Sequence, residues 1–215
     1  MQSEKKLEIY ELLLLTPREA EYWLQNEICK ENPDLGLIKD IITWTPIDLN
    51  YKNKWGDSVF MNTLLYGEYE IFKVLLESGV NPNIQDGEGW TALMRISGQE
   101  ETAEIFKLLL KVGANPNLQN DWGETALMRA VEFKEVESIT LLLEAGADPD
   151  LQDENGETAL MRAVRWSIST KLLLEAGANP HLKDNEGRTA LDLTSERLSC
   201  DTEKCVELLK QYMNE

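Results

Sequence analysis

Between residues 89 and 177 the apolar positions come in paired bursts. A first burst follows Thr91, Thr125 and Thr158 as Thr-Ala-Leu-Met-Arg. A second carries Ile105, Leu108, Leu109 and Leu110 in one copy and Ile139, Leu141, Leu142 and Leu143 in the next. The i, i+3, i+4 spacing of the second burst predicts a helix with one buried face. The threonine ahead of the first burst stands where an N-cap satisfies free backbone N–H groups. Each second burst stops at a glycine, as in Ala145-Gly146-Ala147, which predicts a left-handed C-cap. Asn-Pro-Asn or Asp-Pro-Asp then leads to a tip of Asp, Asn and Gly, the composition of a turn. The predicted unit is helix, helix, finger.

The unit recurs. Gly89 to Arg95, Gly123 to Arg129 and Gly156 to Arg162 are near copies, with weaker ones from Gly56 and Gly187, and the finger glycines are spaced 33, 34, 33 and 31 residues apart. A second glycine series, Gly79, Gly113, Gly146 and Gly177, runs in step. One pair of short helices cannot bury its own leucine face, so such units must stack on their neighbours. These motifs resemble the ankyrin-repeat family, with Ala126 where that family favours Pro and Met61, Met94, Met128 and Met161 where it favours His. The resemblance implies an all-α repeat solenoid, each unit a helix-turn-helix plus a β-hairpin finger, with thioether packing replacing the histidine tie.

The expected organisation is one continuous domain. Residues 1–52 form N-terminal capping helices that include a degenerate repeat over 17–52. Four repeats follow at 53–85, 86–119, 120–152 and 153–183, and 184–215 closes the array as a C-terminal cap. Leu7, Tyr10, Leu13 and Leu14 fall on one side of an added helix over 3–15, expected to shield the open end.

Charge narrows the function. The 215 residues hold 21 Lys plus Arg against 39 Asp plus Glu, a net charge of −18. That sign disfavours direct contact with nucleic-acid phosphates. Cys29, Cys200 and Cys205 lack metal or disulfide spacing, and the longest apolar run near the N-terminus is too short for a membrane span, so a reducing cytoplasmic setting without membrane contact is expected. The single histidine, His181, lies in a finger with no nucleophile constellation around it. Asp153, Asn155, Asp184 and Asn185 read as turn formers, since their turns are too short for a calcium loop. No enzyme, no metal and no cofactor are expected.

The resemblance implies a concave binding surface lined by finger tips and first helices. Carried onto this chain, the candidate partner-binding residues are Trp55, Trp90, Trp122, Glu124 and Glu157 around the finger glycines, Tyr66, Phe133 and Trp166 after the first helices, and the series Arg95, Arg129 and Arg162. Large aromatics in a polar surround have the character of binding hot spots. Packing against the next finger is the other reading of the tryptophans, and internal neutralisation of Glu124 and Glu157 is the other reading of the arginines. The expected function is a non-enzymatic protein-binding module, monomeric when unbound. An acidic inhibitor, immunity protein or adaptor that takes a basic partner fits the charge, in a chain carrying no other domain for a scaffold to serve. The alternatives are a nucleic-acid mimic blocking a DNA- or RNA-binding protein, which needs its acids on one strip, and a host-directed effector.

Overall fold

The computed structural model describes residues 16–30, 32–44, 47–53, 56, 58–65, 68–99 and 103–214, apart from the side chains of Pro17, Trp44 and Leu65. Trp55, Tyr66 and the helix expected over 3–15 lie outside the described residues. The chain divides into two compact units, residues 1–88 and 89–215.

In the first unit, α1 (Pro17–Ile28) opens with Thr16, whose side chain accepts from the Glu19 N–H while Glu19 reaches back to the Thr16 N–H. This reciprocal box satisfies two of the N–H groups that a helix start leaves open. α2 (Leu35–Trp44), α3 (Val59–Leu65) and α4 (Tyr69–Glu77) follow. α1 packs on α3 and α2 on α4, so the helices form two columns. Between them Phe60 and Phe72 stack at 4.4 Å, both fully buried. After α2 the chain turns through Asp48 to Asn50, and the Asn50 side chain accepts from the Asn81 N–H at 2.7 Å.

The second unit repeats this plan. First helices α5 (Ala92–Ile96), α7 (Ala126–Phe133), α9 (Ala159–Ala163) and α11 (Ala190–Leu193) stack in one column. Second helices α6 (Ala103–Lys111), α8 (Val136–Glu144), α10 (Ser167–Glu175) and α12 (Thr202–Met213) stack in the other. The expected N-caps are present: Thr91, Thr125 and Thr158 accept from the backbone N–H of Met94, Met128 and Met161. Those methionines are buried among the leucines of the stack, and Met161 Sδ also accepts from the Thr158 N–H at 3.5 Å. Ile105, Leu109, Ile139 and Leu142 are fully or almost fully buried, whereas Leu108, Leu110, Leu141 and Leu143 flank the stripe half-buried.

Neighbouring fingers are tied by side chains. Asn117 and Asp150 accept from the N–H groups of Asp148 and Asn179, the same bond that Asn50 makes to Asn81. Gln119 and Gln152 donate to the carbonyls of Gln152 and Lys183. The fingers are tighter than extended hairpins. Each closes on two backbone bonds: the N–H of Asn120, Asp153 or Asp184 donates to the carbonyl of Glu124, Glu157 or Arg188 at 3.0 Å, and the N–H of Gly123, Gly156 or Gly187 donates back to the carbonyl of Asn120, Asp153 or Asp184 at 2.9 Å, while Lys52 with Ser58 forms an isolated antiparallel bridge. Gly123 at the tip has φ +76, and a Cβ there would lie 2.9 Å from the Asp153 Cα of the next finger. Close backbone approach and a left-handed conformation together require glycine at that point.

Candidate functional site

The finger of each module begins with an Asn or Asp that holds the turn. Asn120 Oδ1 accepts from the N–H groups of Trp122 and Glu124, Asp153 Oδ1 from Asn155 and Glu157, and Asp184 Oδ1 from Glu186 and Arg188. An acidic or amide oxygen accepting two N–H groups is turn chemistry, as expected for Asp153 and Asp184. It leaves the second oxygen of each aspartate for other work. Asp153 Oδ2 takes the Arg162 guanidinium at 2.7 Å, and Asp184 Oδ2 takes Arg188 at 2.8 Å.

Arg162 is held from two modules at once. One terminal nitrogen binds Glu124 Oε1 of the preceding module at 2.8 Å while the other binds Asp153. Burial pulls the guanidinium's pKa down, but the bonds and charges of Asp153 and Glu124 outweigh that and its pKa ends above the ordinary value. Arg129 pairs with Glu132 at 2.9 Å. Glu157 is paired too, with Arg197 from the turn after α11, which also reaches the Met161 carbonyl. Arginine and acid therefore meet across modules, the internal alternative that the sequence left open.

The aromatic residues interleave with these cations. The Arg95 and Arg129 guanidinium carbons each lie 4.9 Å from the Trp90 ring centre, and Arg129 also sits 4.7 Å from Phe133. Lys134 Nζ lies 3.5 Å over Trp166, with Arg165 at 5.5 Å. Such stacks are attractive because the ring faces are negative. Lys134 ends α7 in the left-handed conformation, φ 63, the one non-glycine residue of that kind among those described. Trp122 meets Trp90 at 6.0 Å with planes tilted 51°. Trp90 is half-buried beneath its arginines, whereas Trp122 stays 39% exposed and Phe133 46%.

Among the described residues, two hollows on this face are lined by candidate residues. One of about 320 Å³ is walled by Trp90, Trp122, Glu124, Asp153, Glu154 and Arg162. The other, about 410 Å³, has Glu132, Glu157, Arg162, Arg165, Trp166 and Arg197 among its walls. The structure thus gathers Trp90, Trp122, Glu124, Arg129, Arg162, Phe133, Glu157, Trp166 and Arg95 into one contiguous set within residues 89–215. Sequence reasoning passed over Lys134, Glu154 and Arg197. Arg197 had a signal: Leu193 stands where Arg95, Arg129 and Arg162 stand in the other copies, so a substitute cation was to be sought one helical turn on.

The thiols serve no shared site. Cys29 and Cys200 are exposed, and Cys205 is buried with the Thr170 hydroxyl 3.6 Å from its sulfur. Burial pushes the Cys205 thiol pKa up, which makes it a poorer nucleophile. Among the described residues no cluster of His, Cys, Asp and Glu could hold a metal ion, and no helix is long and apolar enough to cross a membrane.

The family model for ankyrin repeats (3 copies) matches over residues 27–119, 60–153, 97–184 and 127–215. A putative ankyrin repeat protein of Acanthamoeba polyphaga mimivirus is 38% identical over 47 residues, 22% of this chain and 29% of that protein. The match therefore spans under a third of that relative's length. The crystal structure of an ankyrin repeat domain from Acinetobacter baumannii AYE resembles this chain with a TM-score of 0.79 at 27% identity, covering 90% of this chain and 98% of that one. The ankyrin repeat protein EF0377 gives 0.75 at 28% identity, covering 90% and 97%. Ankyrin repeats are protein-interaction modules and their fold is a typical non-enzymatic scaffold. The paired helices, the finger bonds and the breadth of the family match agree, and this chain belongs to the ankyrin-repeat family.

Proposed function

We propose that this chain is a non-catalytic acidic inhibitor or immunity protein that neutralises a basic partner protein, gripping it by the finger face of residues 89–215. The observation that carries the reading is the set of half-exposed rings on one face, Trp122, Phe133 and Trp166, between carboxylates, in a chain of net charge −18. The rings supply desolvated anchoring area and the net charge steers a cationic partner to it. The unbound protein acts as a monomer. Its three free cysteines, two of them exposed, suit a reducing compartment such as the cytoplasm. A nucleic-acid mimic is the weaker reading. Glu124, Asp153, Glu157 and Asp184 are tied to Arg162, Arg197 and Arg188, which removes the bare negative strip that mimicry needs.

The test is co-purification with the tagged full chain at about 50 mM and at about 500 mM salt, beside a Trp122→Ala, Phe133→Ala double variant. Trp90 is spared because two arginines stack on it. The reading expects a cationic partner recovered at low salt, released at high salt and lost in the double variant while circular dichroism shows it still folded. A neutral partner held equally at both salts makes the chain an adaptor and ends the inhibitor reading.

A further inference from the structure

The described aromatic residues of the finger face differ in one respect. Trp90, Phe133 and Trp166 each carry a cation of the chain itself, supplied by Arg95, Arg129, Lys134 or Arg165. Over Trp122 no such cation lies among the described residues. Its ring contact is the tilted neighbour Trp90, and 39% of the residue is open. The adjoining finger sets a carboxylate beside it: the Glu154 N–H donates to the Trp122 carbonyl at 2.9 Å, and the exposed Glu154 side chain and the Trp122 ring both wall the 320 Å³ hollow. The ionised groups of that hollow are the carboxylates of Glu124, Asp153 and Glu154 against the single guanidinium of Arg162, so it is negative.

We infer that Trp122 and Glu154 form a socket for one arginine side chain of the basic partner, whose guanidinium lies over the open indole while its N–H groups reach the Glu154 carboxylate. This deepens, and rests on, the basic-partner reading. Arginine suits the site better than lysine because its planar fork stacks on an indole and binds a carboxylate through two N–H groups at once. The hollow already holds one guanidinium in such company, Arg162 between Glu124 and Asp153. The neighbouring rings take cations in the same manner, at 3.5 to 5.5 Å.

The experiment titrates the full chain into a fluorescein-labelled, end-capped hexa-arginine peptide at low salt, reading anisotropy, with hexa-lysine and hexa-citrulline peptides in parallel. Arginine is expected to bind roughly threefold more tightly than lysine, and citrulline, which lacks the charge, more than about tenfold more weakly. Trp122→Ala loses about fivefold for the arginine peptide, Glu154→Gln about threefold, and Trp122→Phe stays within about twofold because a ring face remains. Both Phe and Gln replacements keep the backbone bond between the two fingers, and unchanged melting temperatures establish that the variants fold. Equal affinity of wild type, Trp122→Ala and Glu154→Gln for hexa-arginine would sink the socket while the basic-partner reading stands. Equal binding of arginine and lysine overturns the assignment to arginine. No binding of either cationic peptide by the wild type overturns socket and basic-partner reading together.

Discussion

Replacing Arg162 by Met removes the cation that joins the finger of one module to the finger of the next. In the native protein its two terminal nitrogens lie 2.8 Å from Glu124 and 2.7 Å from Asp153, with side-chain exposures of 16%, 16% and 1% respectively. Breaking a fully buried pair from one side costs about 3–5 kcal/mol, because the abandoned charge stays buried. Two features lower that figure here. Asp153 keeps the N–H bonds of Asn155 and Glu157 on its other oxygen, and Glu124 borders an open hollow where water can reach it. The expected loss is therefore about 2–3 kcal/mol, against less than about 1 kcal/mol for an exposed surface pair. Urea unfolding followed by circular dichroism measures it, with the slope checked because stacked repeats can unfold in stages. Adding Glu124→Gln to Arg162→Met should cost little further, since both remove one interaction. A loss under about 0.5 kcal/mol for Arg162→Met would mean that the clamp is a surface pair in effect and that the finger face has no polar frame.

Further outcomes follow from single positions. Gly123→Ala places a Cβ at φ +76 and 2.9 Å from the Asp153 Cα, so it should destabilise by about 2 kcal/mol or more, whereas Gly146→Ala, at φ +84 with nothing within 4 Å, costs about 1 kcal/mol; chemical denaturation of the pair separates crowding from strain. Thr125→Ala removes the acceptor of the Met128 N–H at the start of α7 and should cost about 1 kcal/mol by the same assay. Within residues 89–215 acid should loosen the C-terminal module before the middle of the stack. Asp192 is held below its ordinary pKa by the Thr189 N–H and hydroxyl, and Asp201 by the Ser167 hydroxyl and N–H. At Asp184 burial pushes upward, but the bonds and charge of Arg188 outweigh it and the pKa is again lowered. A lowered folded pKa means that the unfolded chain binds more protons on acidification. This stability is complete above the ordinary aspartate value of about 3.9 and is lost as pH falls through the lower folded values. Amide exchange between about pH 5 and pH 3 should show α11 and α12 opening before α7 and α8, and Asp192→Asn with Asp201→Asn should flatten the trend.

The sequence exposes the fold wherever one short-range rule decides it. The threonines announce N-caps because Thr91, Thr125 and Thr158 each precede an apolar turn, and the stop at Gly146 needs only a residue that tolerates φ +84. The half-buried flanks Leu108, Leu110, Leu141 and Leu143 were less visible, because a leucine at the rim of a stripe reads the same as one at its centre. Residue types at the site were legible while their pairings were not. Arg162 finds Glu124 across 38 residues and Arg197 finds Glu157 across 40. No local spacing encodes such a meeting, which depends on how far one finger overhangs the next first helix. Trp90 and Trp122 look alike as tip tryptophans, yet one follows its finger glycine and the other precedes it, and only the first meets guanidinium groups among the described residues.

That difference of place accounts for the chemistry of the face. In three fingers the residue after the glycine meets an arginine of the next module: Trp90 stacks with Arg129, Glu124 pairs with Arg162, and Glu157, facing a module whose arginine position holds Leu193, pairs with Arg197 instead. An aromatic ring and a carboxylate are interchangeable there because each presents negative charge density to a guanidinium. Trp122 precedes its glycine, in the finger of residues 120–124, and its ring contact is Trp90 rather than a guanidinium. Since Arg129 is committed to Trp90, Phe133 and Glu132, and Arg162 to Glu124 and Asp153, neither arginine is left to cover its ring. The ladder that ties the modules together thereby leaves the Trp122 indole face, on the rim of a negative hollow, without a cation from any described residue, and that is the place the proposed partner arginine would take.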